Sequence, residues 1–241
     1  MRPSPRPGIL PRLRRAFALL LLVAILAVAL LQAGYYLRIR ELAQDNPSTT
    51  AFMQLRQEQR RAAGRDPRLA HEWVGYDRIS PWLKRAVIAA EDARFVDHNG
   101  IDWTALREAF MDNRAAGEVV RGGSTISQQL AKNLFLSPER SYWRKGQEAL
   151  LALMLDATLS KRRILELYLN LIEWGDGVFG VEAAAAHYYG IGAHQLGRWQ
   201  ASMLAARIPR PRYYSERGAT PYLFRRAGDI YGWADMVRVP R

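Results

Sequence analysis

Residues 86–103 read AVIAAEDARFVDHNGIDW, an apolar run from Ala86 to Ala90 that ends on two adjacent acids, Glu91 and Asp92. On a helix, Val87, Ile88 and Ala90 can bury the turn that carries Glu91, while Asp92 points about 100° away. One acid can then face a pocket while the other serves structure. Phe95 follows Glu91 by four residues, on the same helical face. A carboxylate set against aromatic and alkyl surface has a raised pKa, which suits a general base. His98 and Gly100 then turn the chain. A solvated helix end with ordinary surface acids fits the same stretch, so the spacing alone leaves both readings open.

A second stretch, GGSTISQQLAKN, runs from Gly122 to Asn133. Two glycines before a capped helix expose backbone N–H groups that can hold an anion. Gln128, Gln129, Lys132 and Asn133 add a donor-rich strip resembling a sugar- or phosphate-binding face. A plain loop-to-helix junction would also use the two glycines. A third stretch holds Arg140, Arg144 and Lys145 just ahead of Glu148. On a helix Glu148 lies one turn beyond both Arg144 and Lys145. An acid beside fixed cations at the mouth of a core helix is a second carboxylate an enzyme can use. Judged alone, it is better explained by a surface salt bridge, worth only tenths of a kcal/mol. In KRRILELYLNLI, Ile164, Leu167, Tyr168 and Leu171 form a core stripe, with Glu166 and Asn170 four apart as braces. The histidines His71, His98, His187 and His194 show no zinc-protease spacing, and no G-x-S-x-G elbow is present.

The elements that position these groups read as helices. The expected spans are Ile79–Phe95 with Pro81 in its first turn, Asp102–Asn113, Ile126–Phe135 and Trp143–Leu159, followed by Lys161–Glu173, Val181–Tyr189 and His194–Arg207. Thr125 and Gln128 form a capping box, and Ser160 can cap the helix after it. An amphipathic stretch covers Thr49–Ala63, and Pro209 and Pro211 break the pattern near the end. Period-two alternation is scarce, so the fold is expected to be mostly α.

The 241-residue chain has no cysteine, which excludes disulfides, a thiol nucleophile and a cysteine-ligated metal. Its net charge of +12 suits nucleic acid, an anionic membrane or phosphorylated substrates. Ala16–Leu37 is a 22-residue uncharged run preceded by Arg2, Arg6, Arg12, Arg14 and Arg15. About 20 apolar residues span a bilayer, and the arginine excess sets the N-terminus in the cytoplasm. The run is longer than a secretory signal's core. Export makes nucleic acid an unsuitable partner. The expected divisions are a basic tail at 1–15, a transmembrane helix at 16–37, a linker or entry segment at 38–72 and a catalytic domain at 73–241.

EDARFVDHNG, GGSTISQQLAKN, RKGQE, KRRILELYLN and GVFGVEAAAAHYYG occur in that order. Together they resemble the five motifs of the glycosyltransferase family 51 domain of peptidoglycan polymerases, over about Trp73 to Arg207. The resemblance implies a lysozyme-like, two-lobed helical domain behind the membrane helix. It implies polymerisation of lipid II, an undecaprenyl-diphosphate-linked disaccharide-peptide, into β-1,4 glycan strands in cell wall biogenesis at the inner membrane. By match of motif, Glu91 is the catalytic base and Glu148 the second essential acid, which orients the donor or a cation. Ser124, Gln128, Gln129, Lys132, Arg140, Arg144 and Lys145 are the expected substrate contacts. Asp92, Phe95, His98, Gly100, Glu166 and Asn170 are the expected structural residues of the motifs. No tightly bound cofactor is implied, although a Mg or Mn ion bridging the diphosphate is compatible with the family. The implied partners are lipid II, the growing strand, membrane lipids and division or elongation proteins. Ala186 stands where the fifth motif commonly carries arginine, and Ser127 replaces a more usual threonine while keeping the hydroxyl. No S-x-x-K, S-x-N and K-T-G set occurs, so transpeptidase activity is not expected. The rival readings are a lytic hydrolase on a lysozyme-like scaffold, using two carboxylates, and a glycan-binding envelope scaffold without turnover.

Overall fold

The computed structural model describes residues 9–118, 122–137 and 141–241, with side chains from Leu13 onward. The expected basic tail and Arg140 lie wholly or largely outside those residues. The chain divides into two compact units, one ending at Glu41 and one spanning Leu42–Arg241. Helix α1, Ile9–Glu41, is the whole of the described first unit. Its segment Leu13–Glu41 is long and apolar enough to cross a membrane, and its apolar side chains, such as Phe17, Leu20 and Leu30, are exposed.

The second unit is mostly helical. Helix α2, Ala51–Ala62, is capped by Thr50, so the segment expected as a linker or entry piece contributes a packed helix to this unit. Helix α3, Pro81–Glu91, starts at the Ser80 cap with proline in its first turn, where a missing N–H costs nothing. It stops at Glu91, four residues before the expected end at Phe95. Asp92 leaves helical space at φ −163° and ψ 73°, because its carboxylate is drawn to partners on another element. Helix α4, Trp103–Ala116, is capped by Asp102. Helix α5, Ile126–Phe135, begins at the Thr125–Gln128 capping box, as the sequence indicates. Helix α6, Tyr142–Thr158, and helix α7, Lys161–Leu171 with its Ser160 cap, follow.

Helix α7 ends two residues short of Glu173 because the chain extends into a small sheet. Its strands β1 (Ala70–His71), β2 (Glu173–Gly175) and β3 (Val178–Phe179) stand in the order β1-β3-β2. β1 and β3 are parallel, and β2 and β3 are antiparallel. Strands of two or three residues are too short to show alternation, which is why periodicity missed them. Helix α8, Val181–Tyr189, matches its expected span. The expected His194–Arg207 helix is split into a short turn at Ala193–Gln195 and helix α9, Arg198–Arg207, because Leu196 and Gly197 leave helical space. Beyond the prolines the chain resumes as α10, Pro211–Arg217, and α11, Pro221–Trp233, each opening on a proline. Proline there starts a helix rather than ending one.

Two helix groups pack separately: α3 with α9 and α11, and α5 with α6 and α7, with α2 against α5. Leu83, Val87 and Ile88 of α3 and Leu204 of α9 are fully buried in the first group. Leu130, Leu151, Leu155 and the α7 stripe of Ile164, Leu167, Tyr168 and Leu171 are fully buried in the second. Asn170 braces the entry to α3: its Oδ1 accepts the Val74 N–H at 2.9 Å and its Nδ2 donates to the Val74 carbonyl at 3.0 Å. Glu166 Oε1 accepts the Tyr76 N–H at 3.0 Å from the same segment.

Gly100 joins the two groups at close range. It has φ +83°, and a Cβ there would lie 2.7 Å from the Ala152 carbonyl oxygen of α6. Gly100→Ala is therefore expected to cost about 3 kcal/mol, from a left-handed backbone plus an overpacked contact. Urea unfolding of the detergent-solubilised protein, read by circular dichroism, checks this.

Candidate active site

Glu91 ends α3 with its side chain 10% exposed. Gln129 of α5 donates from Nε2 to Glu91 Oε2 at 2.8 Å. Tyr168 of α7 donates its hydroxyl to Gln129 Oε1 at 2.8 Å, which fixes the amide's orientation. Arg226 of α11 approaches Glu91 Oε1 from the other side, with a nitrogen at 3.5 Å. Burial pushes the Glu91 carboxyl above the usual range, and the neighbouring Asp92 charge adds to this. The Gln129 hydrogen bond, Arg226 and Lys132 oppose it. A carboxylate so held has raised proton affinity while remaining a hydrogen-bond acceptor, which is the character of a general base.

Asp92 has a different task. Its Oδ2 accepts the N–H of Ile126, the first residue of α5, at 3.0 Å, and both its oxygens lie 3.0 Å from His98 Nε2. A carboxylate at a helix N-terminus satisfies an orphan donor and complements the helix dipole. By fixing where α5 begins, Asp92 also fixes Gln129 one turn later. Because α3 stops at Glu91, Phe95 does not continue its helical face. It is instead fully buried, with the Lys161 ammonium 4.6 Å from its ring centroid. Gly100 receives on its carbonyl the Thr125 hydroxyl at 2.6 Å, so the loop and the α5 cap are one assembly.

Glu148 of α6 is 3% exposed, which removes it from the class of surface salt bridges. Arg144 donates to its Oε2 at 2.9 Å, and the Lys145 ammonium contacts Oε1. Lys145 also donates to Ser124 Oγ at 2.9 Å. Lys132 of α5 is drawn into the same field. Burial lowers its pKa, Glu148 opposes this most, Arg144 and Lys145 add to the lowering, and Glu91 opposes it. Lys132 therefore interacts electrostatically with both acids. Gln128, expected among the substrate contacts, takes the Thr125 N–H on its Oε1 at 3.0 Å and is 5% exposed, so that oxygen serves the cap. Ser127 contacts the Asp156 carboxylate with its hydroxyl.

A cavity of about 320 Å³ opens here, lined by Gln129, Lys132, Asn133, Phe52, Arg210 and Tyr213 among others. Its wall includes a buried two-pronged ion pair, Arg56 to Glu173 at 2.9 and 2.6 Å. Sequence reasoning missed Arg56, Glu173 and Arg226. The first two lie 117 residues apart, and the third lies on a helix past the prolines, 135 residues from its acid. Tyr168 was expected only as core. The available signal was its hydroxyl, since a buried tyrosine needs a hydrogen-bond partner.

Asp92, His98 and Asp102 lie close enough together to hold a metal ion. Their oxygens are already engaged: Arg94 makes two bonds to Asp102, at 2.8 and 3.0 Å, while N–H groups of Ala105 and Ile126 occupy Asp102 and Asp92. This cluster is a brace between helix N-termini.

The site thus offers a proton acceptor on one side and clustered cations on the other, in a mostly helical domain. That equips a transferase whose nucleophile loses a proton and whose leaving group carries charge. The family model for Transglycosylase matches residues 58–231, and the chain belongs to that family, a glycosyltransferase enzyme with a lysozyme-like domain. The match reaches past the motif region of Trp73 to Arg207, from within α2 to near the end of α11, and so includes Arg226. The chain is similar to the biosynthetic peptidoglycan transglycosylase of Janthinobacterium sp. (strain Marseille), at 50% identity over 228 residues, covering 95% of this chain and 99% of the relative. It is likewise similar to the biosynthetic peptidoglycan transglycosylase of Nitrosospira multiformis, at 53% identity over 195 residues, 81% of this chain and 85% of the relative. That of Herminiimonas arsenicoxydans is 51% identical over 228 residues, 95% of this chain and 99% of the relative.

Removing Arg226 takes away a cation that favours the ionised Glu91. In Arg226→Gln the carboxyl should rise further, so the deprotonated base forms only at higher pH. The acid limb of the kcat/KM profile should move to higher pH, and Gln129→Leu should move it in the same direction. Arg225→Gln, a change at an exposed neighbour on α11, should leave it in place.

Proposed function

We propose that the protein polymerises lipid II into β-1,4 glycan strands of peptidoglycan, releasing undecaprenyl diphosphate, and carries no transpeptidase activity. The observation that carries this reading is the buried Glu91 carboxylate, held by Gln129 and Arg226 and linked through the field of Lys132 to the Glu148 cluster. The names of its relatives, which share half their residues with it over most of both chains, supply the peptidoglycan context.

In this reading the acceptor sugar's 4-hydroxyl lies against Glu91, which takes its proton as the oxygen attacks the donor's anomeric carbon. The new C–O bond forms as the bond to the diphosphate breaks, with inversion at that carbon. The departing diphosphate is a good leaving group already, so it needs charge neutralisation more than a proton. Lys132, Arg144 and Lys145 supply it, and Glu148 holds the last two in place. Glu148 has both oxygens engaged by Arg144 and Lys145, so the residues here do not form a cage for a Mg or Mn ion, whose chemistry would be charge neutralisation. Helix α1 serves as a single-pass anchor with its arginine-rich end in the cytoplasm, leaving the catalytic domain on the periplasmic face of the inner membrane. The enzyme then works where its lipid-linked substrate lies, in contact with membrane lipids and the growing strand, and alongside division or elongation proteins.

The test is polymerisation of lipid II by the detergent-solubilised chain, read on a gel. Wild type should give long glycan. Glu91→Gln should lose activity by about 10²–10⁴-fold, the usual contribution of a general base, with unchanged circular dichroism. No polymer from wild type, or an unaffected Glu91→Gln, rejects the reading.

A further inference from the structure

A second cavity, of about 370 Å³, adjoins the first and shares Pro209, Arg210 and Tyr213 with it. Its remaining lining includes Tyr214, Thr220, Tyr222 and Arg226. Its described lining holds two arginines and no acid. Burial raises the Tyr214 phenol, Tyr222 and Tyr213 add to this, and Arg210 and Arg226 oppose it, so these five side chains share one field. Helix α11, 13 residues long, opens at this cavity with Thr220 as its cap. The positive end of its dipole adds to the two guanidinium charges.

Arg226 connects this cavity to the reaction. One of its terminal nitrogens stands 3.5 Å from Glu91 Oε1, and its Nε is buried without a hydrogen-bond partner among the described residues. A guanidinium carries five donors and pairs best with a planar or tetrahedral oxyanion. A buried donor left unmatched is a standing cost that a bound acceptor would remove. The cavity wall adds phenol and threonine hydroxyls, which donate to the same kind of group.

We propose that this cavity is an anion subsite, in which Arg210, Arg226 and the tyrosine hydroxyls hold an acidic group of the sugar substrate one guanidinium away from the base. The inference rests on the lipid II reading. That substrate carries two kinds of anion, the diphosphate and the carboxylates of the stem peptide, and either has the chemistry the cavity selects. Occupancy would anchor a substrate by a group remote from the reacting oxygen, so binding at this subsite supports the orientation at Glu91.

Two probes separate the sources: inorganic pyrophosphate, and an N-acetylmuramyl peptide with free carboxylates. Each is titrated by calorimetry into the full chain in detergent. At least one should bind. Its Kd should rise about tenfold or more in Arg210→Gln, as expected for one lost charge-assisted contact. Arg210 is exposed, so this substitution leaves the core intact. The same probe should keep its affinity in Arg225→Gln, which removes an equal charge outside the cavity. Pyrophosphate obeying this pattern assigns the subsite to the diphosphate, and the muramyl peptide obeying it assigns the subsite to the stem peptide. Binding by neither probe, no loss in Arg210→Gln, or an equal loss in Arg225→Gln overturns the inference. Lipid II polymerisation by the same preparation separates this from the parent reading: polymer without probe binding rejects the subsite alone.

Discussion

The hydrogen bond from the Ile126 N–H to the Asp92 carboxylate is the constraint on which the rest of the site depends. It ends α3 by drawing the residue after Glu91 out of helical space, and it starts α5 by satisfying its first N–H. The two helices are thereby set so that Gln129 meets Glu91. His98 and the Thr125–Gly100 contact lock the same joint from the loop side. Two adjacent acids thus have opposite fates. One is saturated with backbone and imidazole donors, while the other is kept short of them. The raised proton affinity of Glu91 follows from its burial in this geometry.

The electrostatics are economical. Buried charges are tolerated only when paired and hydrogen-bonded. Glu148 satisfies that rule with two cations of its own helix turn. Glu91 is given one amide and a more distant guanidinium, so its charge is only partly compensated. Lys132 lies in the field of both acids, and its burial lowers its pKa. The cations are held ready by carboxylates rather than recruited from solvent, which lowers the reorganisation needed when a substrate's charge changes.

Much of this was legible in the chain. The caps at Asp102, Thr125 and Ser160 fall where side-chain chemistry places them, because capping is a local interaction between residues about three apart. The α7 stripe is core for the same local reason. The end of α3 was not legible, because the partner of Asp92 lies 34 residues away. Nor was the Arg56–Glu173 pair, whose members have no shared local pattern. The helices after Pro209 were overlooked because proline was read as a stop, and with them went the guanidinium beside the base. Sequence spacing reports neighbours along an element, and the missed residues are neighbours only across elements.

Arg226 also sets an order of events. A chain made from its N-terminus produces α3, α5 and α7 before α11, so Glu91, Gln129 and Tyr168 exist together well before the guanidinium arrives. Until α11 docks on α3 and α9, the acid lacks the guanidinium that favours its ionised form. The surroundings of the base are therefore complete only once the last long helix is in place.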